Sequence, residues 1–137
     1  MSFSSSFTFG TRLPGTIASV RSTVEAALKA EGFGILTEID VRATLQTKIG
    51  AEMEDYVILG ACNPPLAHRA LEADRSIGLL LPCNVVVRSH GGGSVVEALD
   101  PQLMSTLSGA PELASIADEA GQRLAVALDV IKAGVSG

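Results

Sequence analysis

The sequence predicts an α+β domain, with a mixed, mainly antiparallel sheet of about five strands and two long helices on one face. Two stretches, after Thr16 and after Pro111, repeat apolar residues at the helical period. Short runs rich in β-formers alternate with helical segments early in the chain and follow one another late. Between the last two runs, Gly91-Gly92-Gly93 supplies the positive φ angles of a hairpin turn. Early alternation and a late hairpin define the α+β class. The 137 residues fit one domain, with no internal repeat and no dividing linker.

Taken in order, Phe3, Phe7 and Phe9 alternate with Ser4, Ser6 and Thr8, which reads as a strand with one buried face. Pro14-Gly15 breaks it. Thr16 caps a helix whose apolar face is Ile17, Val20, Val24, Ala27 and Leu28, and Gly32 ends that helix near Glu31. Phe33 to Ile39 is the second strand. Asp40 then caps a short helix over Val41 to Lys48, closed by Gly50, although a strand continuing through Val41 competes with it. Ala51 to Asp55 is a polar loop.

Tyr56 to Cys62 is apolar almost throughout and suits a central strand covered on both faces. Asn63-Pro64-Pro65 starts a helix, with Asn at the cap and Pro in the first turn, running to about Ala73. Asp74 to Pro82 crosses back, and Leu79-Leu80-Leu81 packs beneath it or at a subunit interface. Asn84 to Ser89 and Ser94 to Leu99 are the fourth and fifth strands, and Asp100-Pro101 ends the fifth. A segment marked by Gly109 and Pro111 leads into the last helix. There Leu113, Ile116, Ala117, Ala120, Leu124, Leu128 and Ile131 share one face, and Gly121 marks close approach to the sheet or to a partner helix. The tail from Gly134 is expected to fray.

Composition narrows the function. Charged residues are 18% and aromatic residues 4%, so the core is aliphatic and little polar surface remains for a lone small domain. That favours a homo-oligomer hiding one face. The net charge is −5 with no run of Lys or Arg, which argues against nucleic acid and acidic membrane surfaces as partners. No apolar run reaches the roughly 18–20 residues of a membrane helix. The first residues show no secretory signal, so the cytoplasm is the default location.

The chemistry concentrates between Tyr56 and Arg88, which holds both cysteines and the repeated dipeptides Cys62-Asn63 and Cys83-Asn84. In a reducing compartment both cysteines are thiols. Cys62 precedes a helix N-terminus, where backbone amides and the helix dipole favour a thiolate, although Pro64 and Pro65 remove two donors. The candidate ligand-binding residues are Cys62, Asn63, Cys83 and Asn84. Cys62, His68 and Cys83 are candidate ligands for a soft metal, since thiolate and imidazole suit zinc or copper, but their spacing follows no established zinc pattern. Cys62 is also the candidate nucleophile of a thiol enzyme, without an evident orienting acid. The competing reading makes both cysteines core, Asn63 a plain helix cap and His68 and His90 surface residues. Whether the thiols meet depends on strand direction. Parallel strands hold Cys62 and Cys83 at opposite ends; antiparallel strands bring them together.

Glu52, Glu54 and Asp55 read as a solvated loop before a divalent-cation site. Gly91 to Gly93 joins strands and has no following Lys and Ser/Thr, so it is not a phosphate loop.

Several blocks resemble the domain-of-unknown-function 302 family: Gly32-Phe33-Gly34 followed by Thr37-Glu38-Ile39-Asp40, then Ala61-Cys62-Asn63-Pro64 with Ala67, then Leu80-Leu81-Pro82-Cys83-Asn84-Val85-Val86-Val87. The resemblance runs from about Thr16 to Pro101. It implies a compact α+β domain grouped with TATA-binding-protein-like folds, often dimeric, with no established activity. DNA binding does not follow from such a fold, and the acidic charge argues against it. The cofactor stays unknown. The expected function is a cytoplasmic dimeric module binding a small ligand, a metal ion or a sulfur species near Cys62, with a thiol enzyme or a structural domain as alternatives.

Overall fold

Six antiparallel strands form a single sheet in the computed structural model, which describes residues 2–5 and 8–136, with side chains from 8 to 133. The strands are β1 (Ser2–Ser5), β2 (Thr8–Pro14), β3 (Gly34–Asp40), β4 (Tyr56–Cys62), β5 (Cys83–His90) and β6 (Gly93–Leu99), in the order β1-β2-β6-β5-β4-β3. The α+β class is as the sequence indicates. The sheet is antiparallel throughout instead of mixed. The N-terminal run is a hairpin of two strands instead of one, because Ser5 pairs with Thr8 across the chain reversal. Phe7 and the side chain of Phe3 lie outside the described residues, so their expected burial does too; Phe9 packs partly buried against the core.

Helices α1 (Ile17–Ala30) and α5 (Glu112–Ser136) lie together on one face. Thr16 caps α1 by accepting from Ser19 N at 3.2 Å, and the α1 stripe of Val20, Val24, Ala27 and Leu28 is buried. It meets Leu59 and Ala61 of β4, Val85 and Val87 of β5, and Val96 and Ala98 of β6, which alternate along their strands as a one-sided sheet requires. On the opposite face Tyr56, Ile58 and Val86 are half-buried, and Arg88 donates to Glu97 at 3.1 Å. Helix α2 (Val41–Ile49), capped by Asp40 Oδ1 accepting from Ala43 N at 2.9 Å, buries none of its residues. Its Arg42 reaches Asp55 at 2.6 Å, tying down the acidic loop.

A second core lies beyond the sheet. It joins Leu66 and Ala70 of α3 (Pro64–Ala73), Ile77 of a 3₁₀ turn (Arg75–Leu80), Met104 of α4 (Gln102–Ser108), and Leu113, Ile116 and Ala120 of α5. Of the leucine run, Leu80 and Leu81 pack against this core and Leu79 is 89% exposed. Helix α5, about 38 Å long at 1.5 Å per residue, serves both cores: Leu113 to Ala120 belong to the second, Leu124 to Ile131 to the first. Gly121 marks the passage between them, where an added Cβ would touch Phe9 of β2 at 4.0 Å. That is an ordinary van der Waals contact, so the close approach expected at Gly121 does not occur. The helix continues past Gly134 to Ser136.

Candidate functional site

The seam between the two cores holds a cavity of about 20 Å³. Phe33 and Ala61 line it from the sheet core, and Leu66, Met104 and Ile116 from the other core, so its walls are apolar. Both cysteines open onto it as free, partly exposed thiols.

Strand register explains the meeting. In the β4–β5 pairing Ala61 stands opposite Cys83, and Cys62 is the next residue of β4. Helix α3 leads away from that end of the sheet and the 3₁₀ turn leads back to it, so the connection returns antiparallel and the distant parallel arrangement does not occur. Close packing at Gly60 guides the return. A Cβ there would lie 2.9 Å from Pro82 Cγ and also against the Thr37 hydroxyl, so only glycine lets the chain bring Cys83 in over β4.

Burial pushes the Cys83 thiol up from 9.0 to about 11, and the neighbouring Cys62 adds to the rise. A thiol so placed carries about one hundredth of the thiolate of an ordinary one at neutral pH. Higher basicity makes the thiolate itself roughly tenfold more nucleophilic, which offsets part of that loss. Cys83 is therefore expected to alkylate with iodoacetamide at least about tenfold more slowly than an ordinary thiol at pH 8, its rate climbing with pH until about pH 11. A rate that levels off near pH 9, read by peptide mass mapping, would contradict this environment.

Asn63 is 8% exposed, and both ends of its amide are engaged. Its Oδ1 accepts from Leu66 N at 3.4 Å, capping α3, and its Nδ2 donates to Glu31 O at 3.3 Å. Arg123 of α5 donates to the same carbonyl at 3.4 Å, so the C-terminus of α1 is held by α3 and α5 together. Asn63 thus forms cavity wall by fixing two helix ends. Asn63→Ala is expected to cost about 1–2 kcal/mol, the usual loss for a cap, measured as a lower urea midpoint with unchanged slope. A midpoint within error of the parent would contradict the double role.

Asn84 is exposed and is not among the cavity walls; its partner across the strands is Gly60. His68 is on the outer side of α3, where its Nε2 lies 3.4 Å from Glu72 and its side chain is 75% exposed. It borders a separate surface depression with Arg69, Glu112 and Ser115. Cys62 and Cys83 are therefore brought together, and His68 is not brought to them. Among the described residues no three His, Cys, Asp or Glu side chains gather into a metal cluster.

Met104 is the wall residue that sequence reasoning missed. The signal was present: Asp100 Oδ1 accepts from Gln102 N at 2.9 Å to start α4, and Gly109, with φ +75°, ends it.

The chain matches the family model described as Domain of unknown function DUF302 over residues 9–131, beyond the stretch that carries the sequence motifs. Among solved structures it is similar to an uncharacterized conserved protein DUF302 from Bacillus stearothermophilus. The two share 31% sequence identity at a TM-score of 0.86, over 93% of this chain and 99% of that one. No curated protein matches it.

Proposed function

The chain belongs to the DUF302 family, and we propose that in this member the cavity between Cys62 and Cys83 binds a single soft atom, either a thiophilic metal ion or a sulfur atom carried on Cys62. The observation that carries this reading is the meeting of both thiols on one apolar cavity of about 20 Å³. A site of that size holds about one water-sized sphere, whereas pockets for metabolites run to roughly 300–1,000 Å³. The ligand is thus an ion or an atom and not a metabolite. A thiol enzyme is less well supported, since the histidine that would serve Cys62 as base lies on another surface.

The module works as a cytoplasmic homodimer in this reading. Leu36 and Ile39 of edge strand β3 and Ile49 of α2 are 67%, 48% and 73% exposed, an apolar edge for a second copy to cover.

Native mass spectrometry tests both parts. Protein purified without reductant, or incubated with a thiophilic ion or a sulfane-sulfur donor, is expected to run as a dimer with a mass excess on each chain. The excess leaves on denaturation if it is a metal and only on reduction if it is sulfur. Cys62→Ser is expected to lose the excess while keeping its melting temperature within a few degrees. An excess that survives Cys62→Ser, or a wild-type chain that stays apo under every loading condition, overturns the proposal.

A further inference from the structure

We infer that the atom taken up is a soft monovalent cation of the Cu(I) or Ag(I) class, bridging the sulfurs of Cys62 and Cys83, with the Met104 thioether beside it. This rests on the single-atom reading above and names its ligand class.

The donor set points there first. Three sulfur-bearing side chains line the cavity, and its other walls include Phe33, Leu66 and Ile116. The one amide on the wall, Asn63, has its oxygen engaged by Leu66 N. Thiolate and thioether donors without oxygen or imidazole select soft cations such as Cu(I). Zinc asks for four ligands in a tetrahedron, and His68, which would have added a nitrogen, faces elsewhere.

Strand geometry sets the two thiols beside one another. Cys83 stands opposite Ala61, so Cys62 and Cys83 are offset by one residue at the same end of the ladder and open onto the same cavity. A two-coordinate sulfur–metal–sulfur unit spans roughly 4.6 Å, twice a metal–thiolate bond of about 2.3 Å, a span that suits two thiols lining one small cavity.

The step involves no change of oxidation state. Each thiol loses one proton to solvent, each sulfur forms one bond to the cation, and the product carries one negative charge. That charge sits beside the N-terminal end of α3, where the helix dipole favours it.

Anaerobic titration of the reduced full chain with Ag(I), in the presence of a competing thiol, tests the inference. One Ag(I) per chain is expected, with both cysteines protected from alkylation, and Zn(II) at the same concentration is expected to leave the protein metal-free. Cys62→Ser and Cys83→Ser, each checked for folding by circular dichroism, are expected to weaken Ag(I) binding at least 100-fold. Two Ag(I) per chain, or full affinity in Cys83→Ser, overturns the bridge while leaving a soft-atom site on Cys62. Equal binding of Zn(II) overturns the all-sulfur selectivity. Ag(I) affinity unchanged in both variants removes the site altogether.

Discussion

Replacing Phe33 with alanine is expected to lower stability by about 3–5 kcal/mol, the range for truncating a buried aromatic side chain. Phe33 is 1% exposed and packs in the sheet core while also walling the thiol cavity. Its removal strips contacts from the core and merges the new void with the existing one. The same variant should therefore alkylate faster at Cys83 while still folded, because the wall that buries the thiol is gone. Urea denaturation and peptide-mapped alkylation read the two effects. A loss below about 1 kcal/mol, with unchanged alkylation, would mean that the ring neither anchors the core nor screens the thiols.

Gly93→Ala is the second large effect. Gly93 pairs with Pro14 at the end of the β2–β6 ladder, and an added Cβ would collide with the Leu13 carbonyl oxygen. The obstacle is backbone, so no side-chain rotation relieves it. The strands must separate there, pulling on the bond from Ser94 Oγ to Gly15 O at 2.8 Å that ties β6 to the start of α1. Overpacking of this kind costs about 1–3 kcal/mol, which at about 4 °C per kcal/mol lowers the melting temperature by roughly 4–12 °C. A calorimetric midpoint within 1–2 °C of the parent would show that the ladder end yields freely.

The local punctuation of this fold was readable because single residues supply it. Thr16, Asp40 and Asn63 each accept a bond from an early helix amide, as their side chains allow, and the three helices start where those residues stand. Gly91 and Gly92 turn the β5–β6 hairpin with φ of 56° and 83°. The α5 stripe was legible as apolar, yet not as shared between two cores, since periodicity records burial and not the partner. The hairpin of β1 and β2 was hidden because no Gly or Pro marks the reversal and Phe3, Phe7 and Phe9 all fall at odd positions across it. Helix α4 was hidden by its seven residues, too few to display a helical period.

The site was legible in its residues and not in its geometry. Cys62 and Cys83 stand out in the sequence, but their distance depends on whether the chain re-enters the sheet at the end it left. That choice is made by the packing of α3 and the 3₁₀ turn against α5 and α4, contacts between residues far apart in the chain. The same holds for Met104, which lines the cavity only once the second core has assembled. His68 shows the converse. Its spacing from Cys62 invited a metal site, while its place on the outer side of α3 pairs it with Glu72 instead.

The most direct test of the dithiol site is the anomalous diffraction of a crystal of the reduced chain grown with one equivalent of Ag(I). A single peak per chain between the Sγ atoms of Cys62 and Cys83, in the cavity walled by Phe33 and Met104, is the result predicted. Silver on one thiol at the surface, silver at His68 or His90, or no ordered silver would contradict it.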